Sequence, residues 1–226
     1  MAKKKITRKE LLKKPDEFIT FSAKAVNFLG LHLRELKYFG YAIAVIAICY
    51  LAVQTYVRHV NKQGQNAYNT AYHSVTENMK PDADPEALKK SEELFRGVMD
   101  EYGLSKAARL ALPQVGYLKF TEKKYDEAIV LYRAFLDKVS GNTEYESLTR
   151  LALAACYEAS GEPEKAIETL NPILERPDGP FNEIAMLHVE RLYRLVNQHE
   201  NAEKVLKDFI DRHKTSPFLP MAKARL

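Results

Sequence analysis

Residues 145–177, YESLTRLALAACYEASGEPEKAIETLNPILERP, decide the fold. Leu153 and Tyr157 stand one helical repeat apart, and Ala166, Leu170, Ile173 and Leu174 recur at i, i+4, i+7 and i+8, so each half of the stretch presents one apolar helical face. Gly161 ends the first helix and Glu162-Pro163 starts the second, the glycine-out, proline-in asymmetry of helix ends. Two antiparallel helices cross closely only where a small side chain meets the neighbour. Ala154 and Ala166 are the small residues of the crossing, and Tyr157 and Leu170 fill its flanks.

These are also the spacings at which tetratricopeptide repeats place their L-G-x-x-Y, turn glycine, small residue and second-helix apolar positions, so the unit resembles that repeat. Weaker copies surround it. Tyr125 to Ala128 with Tyr132, Phe135 and Leu136 repeat the second helix upstream; Ala202, Leu206, Phe209 and Ile210 repeat it downstream, after Tyr193; Ser91, Phe95, Val98 and Met99 form a degenerate first copy. The small position recurs at Ser91, Ala128, Ala166 and Ala202, at spacings of 37, 38 and 36 residues, against about 34 in the standard repeat. Gln65 to Met79 is the expected partner helix of the first unit, Lys80 to Pro85 a loop, and Pro217 to Leu226 a last helix covering the end of the stack, as a solenoid requires. The expected fold is all-α: a TPR-like α-solenoid of about four degenerate hairpins with a capping helix.

A second feature divides the chain. From Tyr38 to Val57 no side chain is charged. Twenty helical residues at about 1.5 Å each reach roughly 30 Å, the thickness of a bilayer's hydrocarbon core. The stretch 42–53 is apolar all round, unlike the two-faced helices of globular cores. Three parts follow: a basic tail over 1–37, a transmembrane helix over 38–57, and a helical repeat domain over 58–226.

Residues 1–37 hold ten Lys and Arg against four acids, whereas 58–226 hold twenty-four against twenty-six, so the positive charge belongs to the tail. By the positive-inside tendency the tail is cytoplasmic and the repeat domain lies across the membrane. That distribution argues against nucleic acid as a partner, because the large domain has no basic stripe. Within the tail, Phe18, Phe21, Ala25, Val26, Phe28, Leu29, Leu33 and Leu36 recur at helical spacing, an amphipathic helix expected to lie on the inner leaflet behind the basic run.

Chemistry is sparse. His32, His59, His73, His188, His199 and His213 are scattered without HExxH or CxxC, which points to no metal. No glycine-rich phosphate loop exists, and Ser140-Gly141-Asn142 reads as a helix-ending turn. Neither a cofactor, a small-molecule substrate nor an enzymatic activity is expected. Cys49 and Cys156 are too few for a disulfide framework. Stacked hairpins instead present a groove lined by first helices that takes extended peptides or helices of other proteins. By register its residues are Leu148, Leu151, Ala155 and Glu158 in the clear unit and Ile184, Leu187, Arg191 and Arg194 in the next, the two arginines being suited to an acidic segment.

The whole arrangement resembles the YfgM-like proteins of bacteria: a cytoplasmic tail, one span at Tyr38 to Val57, a following helix with Ala67-Tyr68 and Ala71-Tyr72, degenerate repeats, and a last helix from Ser216 to Leu226. The resemblance implies a single-pass inner-membrane protein with a periplasmic TPR-like domain, an ancillary partner of the Sec translocon contacting translocating chains or periplasmic chaperones, and no catalytic residues. The tail is longer and less acidic than that of the better-known members, so no tail-dependent regulation carries over. The alternative is a TPR scaffold for another envelope assembly, such as cytochrome maturation, cell-wall synthesis or outer-membrane biogenesis.

Overall fold

The computed structural model describes residues 17–78 and 85–226; the basic run of residues 3–14, Met79, and the expected loop over 80–84 lie outside the described residues. Ten α-helices and no strand occur among them: α1 (Glu17–Leu31), α2 (Leu33–Asn78), α3 (Pro85–Glu101), α4 (Lys106–Thr121), α5 (Tyr125–Lys138), α6 (Thr143–Ala159), α7 (Pro163–Leu174), α8 (Asn182–Leu195), α9 (His199–Arg212) and α10 (Leu219–Arg225). The chain divides into two compact units, one ending at Tyr56 and the other spanning Val57–Leu226.

In the first unit, α1 stops at Leu31 and the amphipathic helix expected to run on to Leu36 is interrupted at His32, whose ring stacks on Phe28. Val26, Phe28, Leu29 and Leu31 are exposed. The most apolar part of α2 has a mean hydropathy of 1.9 and none of it is buried, which makes α2 a candidate membrane span. Gln54 and Thr55 of the uncharged run are satisfied inside the helix: Gln54 Nε2 donates to Tyr50 Oη at 2.8 Å and Thr55 Oγ1 to the Leu51 carbonyl at 2.8 Å, as an apolar solvent demands.

The helix expected to begin at Gln65 is not separate. It is the continuation of α2, because residues 58–64 contain no proline and their one glycine serves packing instead of a turn. A Cβ on Gly64 would stand 2.6 Å from Ser105 Oγ and 3.1 Å from Tyr102 Cβ, so only glycine lets α2 approach the α3–α4 turn this closely. Pro85, expected in a loop, opens α3, a position where its missing N–H costs nothing.

From α3 onward each helix packs on the next along the chain, which is the solenoid pattern. Three clusters form its core. Ala71 and Val75 of α2 pack with Phe95 and Val98 of α3 and Ala111, Val115 and Leu118 of α4. The large middle cluster joins α5 to α8 through Tyr132, Leu153, Tyr157, Leu170, Ile173 and Val189. At the far end Met186, Leu206 and Phe209 are closed over by Ala222 of α10, the capping helix. Ser91, Ala128, Ala166 and Ala202, the four small positions, are all completely buried.

The turns within the last three hairpins repeat as well. Lys123, Gly161 and Asn197 each take positive φ (61°, 81° and 60°) five residues before the small position. Lys124 N–H donates to Lys119, Glu162 to Tyr157, and Gln198 to Tyr193, the six-to-one bond of a Schellman motif. Only the middle turn carries the glycine that makes this conformation easy.

Candidate protein-binding groove

The first helices of the hairpins are α2, α4, α6 and α8, and their register residues fall into two groups. Leu148 and Ile184 are exposed, at the same position of α6 and α8. Leu151 and Leu187, three residues on, are partly buried against the middle and end clusters, so they stiffen the wall more than they offer contact. Ala155 and Glu158 are half-buried.

The two arginines already have partners. Arg191 grips Glu158 of the neighbouring first helix with both terminal nitrogens, Nη2 to Oε2 at 2.6 Å. Hydrogen bonding from Arg191 holds the Glu158 carboxyl below the usual carboxylate range, and that same pairing raises Arg191. Burial, reinforced by the nearby Arg191 charge, pushes His188 down. Arg194 binds Glu190 through Nε and gives Nη2 to the Arg225 carbonyl at 2.8 Å. An acidic segment would therefore have to exchange for Glu158 before meeting Arg191.

A further surface, absent from the register reading, comes from tyrosines. Tyr68 of α2 stacks on Tyr72 with ring centroids 6.3 Å apart and meets Phe95 edge-on at 5.4 Å. Burial raises Tyr68, with a hydrogen bond to Gln114 of α4 opposing and the Tyr72 and Tyr145 hydroxyls adding to the shift. Residues of α2, α4 and α6 thereby meet around Tyr68, where Tyr72 and Tyr145 are exposed; Tyr117, three residues after Gln114 on α4, is exposed as well. The sequence signal available was the pair of tyrosines at i and i+4 after the apolar run; what it lacked was the neighbouring helix.

Two hairpins depart from the repeat in ways that bury charge. Twelve residues before Ala202, where the clear unit has Ala154, stands Glu190, 1% exposed. Its carboxylate is matched by Arg194 on α8 and by Arg225 of the cap at 3.0 Å. In the second hairpin the tyrosine position holds Lys119, whose Nζ lies 2.8 Å from Glu92 and 3.2 Å from Glu122. A cleft of about 740 Å³ borders that cluster, and another of about 730 Å³ lies between Asn182, His213 and Phe218. Both are open to solvent, and their charged side chains include ion-paired ones, Glu92, Arg96 and Lys119 in the first and Glu183, Arg212 and His213 in the second. No group of three or more His, Cys, Asp or Glu side chains that could hold a metal ion occurs among the described residues.

The sequence model of the tetratricopeptide repeat-like domain matches residues 36–177, well over half of the chain. The chain belongs to that family. No protein of curated function matches it. Similar solved structures include those of nearly identical TPR-like repeats from a putative kinesin light chain of Podosopora anserina. One is 14% identical over 72% of this chain and 94% of the other, with a TM-score of 0.50. A form of the same repeats carrying one substitution is 13% identical over 70% and 92%, at 0.49. At such identity the first likeness concerns the fold alone. The TPR-like domain is typically a protein-interaction scaffold without catalytic function, and its hairpins here bring forward exposed side chains on first helices.

Proposed function

We propose that this chain is a non-enzymatic, membrane-anchored interaction module whose first-helix face binds segments of other proteins at the Sec translocon, with translocating chains or periplasmic chaperones as partners. The observation that carries the interaction reading is the row of exposed Tyr72, Tyr117, Tyr145, Leu148 and Ile184 on consecutive first helices, since aromatic and aliphatic anchors on a rigid face are what protein recognition uses. Support for the anchor comes from the family match starting at residue 36, so that the apolar run and the repeats are matched together. The tail lies in the cytoplasm and the repeat domain in the periplasm of a bacterial inner membrane, the orientation favoured by the ten basic residues of the tail.

The test is capture of the full chain from native membranes through a C-terminal tag, beside a control carrying only residues 1–64. Sec channel subunits and periplasmic chaperones enriched over the control support the proposal, and their loss on Leu148→Glu with Ile184→Glu places recognition on the first-helix face. Enrichment of a different envelope complex would overturn the translocon assignment in favour of the scaffold alternative.

A further inference from the structure

The contacts between α2 and its hairpin partner run in strict order. Ser74 Oγ lies 2.8 Å from Ser91 Oγ, the Tyr68 ring meets Phe95, Gly64 abuts Tyr102 and Ser105, and Asn61 Oδ1 accepts from Lys106 N–H at 2.8 Å. Thus α3 runs antiparallel to α2, and the α3–α4 turn, residues 102–105, comes back to the end of this unit where the apolar run stops at Val57. Asn61 to Gly64 follow Val57 by about 6–10 Å of helix rise. The polar layer of a bilayer extends about 5–8 Å beyond the hydrocarbon on each side.

At the tip of that turn stands Leu104, 75% exposed, more than any other large apolar side chain described after Val57. The turn holding it is firm: Ser105 N–H donates to the Tyr102 carbonyl at 2.7 Å, and the buried Ser105 Oγ caps α4 by accepting from Ala108 N–H. The equivalent turns after α5 and α7 expose no large apolar side chain. On the stretches that meet at this turn, residues 58–62 of α2 and 100–109, the exposed charges are Arg58, Lys62, Lys106 and Arg109 against Asp100 and Glu101, a positive balance, with His59 beside Arg58 in sequence. An exposed apolar tip flanked in sequence by cations suits a phospholipid interface, where the apolar group reaches the acyl boundary and the cations meet phosphate.

We propose that the α3–α4 turn is a second membrane contact, with Leu104 seated in the interfacial layer of the bilayer that α2 crosses and Lys106, Arg58, Lys62 and Arg109 facing its anionic headgroups. This rests on α2 being a membrane span. The repeat domain is then attached to the bilayer at two points, the span and the turn.

The test uses the full chain with Cys49→Ala, reconstituted into vesicles of phosphatidylethanolamine and phosphatidylglycerol. Cys156 is completely buried and stays unlabelled. An environment-sensitive dye is placed on Leu104→Cys, on Ile46→Cys in the apolar run, or on Val130→Cys, an exposed position of α5. Lipid-borne quenchers at the headgroup and at mid-chain report depth. The expected result is strong mid-chain quenching at Ile46, and at Leu104 headgroup quenching several-fold above that at Val130, reduced towards the Val130 level by Lys106→Glu with Arg109→Glu. Quenching at Ile46 together with a Leu104 signal equal to Val130 would overturn the turn contact while leaving the span intact. An unquenched Ile46 would overturn the span, and this proposal with it.

Discussion

Replacing Lys119 by methionine measures what its buried charge cluster contributes. Lys119 is 7% exposed and Glu92 9%, with Nζ 2.8 Å from the Glu92 carboxylate. Burial alone would push the Lys119 ammonium down, but hydrogen bonds to Glu92 and Glu122 outweigh it and hold the group above the usual lysine range. Methionine fills the same volume and removes the charge, leaving Glu92 with Arg96, a contact of 2.8 Å made by a guanidinium 46% exposed. Breaking a buried pair by removing one partner costs about 3–5 kcal/mol, and the surviving Arg96 contact places this case near the lower end, about 3 kcal/mol. At 1.4 kcal/mol per tenfold, amide hydrogen exchange in α3 to α5 should accelerate about 150-fold. Because a solenoid's stability is a sum of nearest-neighbour terms, α9 and α10 should exchange as before. Peptide-resolved exchange of the full chain in detergent micelles reads both regions. Adding Glu92→Met should restore most of the protection, since an apolar pair is about as stable as a buried ionic one. Acceleration below tenfold in α3 to α5, or equal acceleration in α9, would refute the reasoning.

Two helical glycines should respond to alanine with opposite signs: Gly97, with nothing within 4 Å of an added Cβ, should be stabilised by about 0.5–1 kcal/mol, while Gly64→Ala must displace Ser105 and should lose about 1–3 kcal/mol, both read by exchange of α2 and α3. Lys123→Gly relieves a positive φ of 61° and should gain up to about 1 kcal/mol, seen as slower exchange in the α4–α5 turn. The Glu158 carboxyl is depressed by Arg191, so its contribution is present above the unfolded value, about 4.3, and disappears as pH falls through the lower folded one. Exchange of α6 and α8, compared at matched intrinsic rates, should show Arg191→Gln less protected at pH 6 and equal to the parent well below pH 4; an equal deficit at both would contradict the pairing. Burial pushes the Cys156 thiol up to about 11, so in a Cys49→Ala chain maleimide at pH 7 should leave it unmodified until denaturant opens the middle core, and rapid labelling of that folded variant would disprove the burial.

The sequence by itself determined the all-helical class, the repeat register and the candidate span. Each is a local pattern: periodicity within one helix, a glycine and proline at a turn, twenty residues without charge. That is why Ala128, Ala166 and Ala202 were legible as close-crossing positions, and why the turn at Gly161 was legible while those at Lys123 and Asn197, with the same backbone but no glycine, were not. Only the tertiary structure decided what faces what. Glu190 and Arg225 are 35 residues apart along the chain, so nothing local announces that a glutamate at a small-residue position will be buried and paired by the capping helix. The join of α2 across Gly64 likewise depended on Ser105, 41 residues on, because a glycine reads as a break until the neighbour requiring its missing side chain is known. The tyrosine face and the contact of the α3–α4 turn with Asn61 and Gly64 have the same origin: they are properties of packed pairs of helices, and a one-dimensional pattern carries the period of each helix but not the partner against which its face is turned.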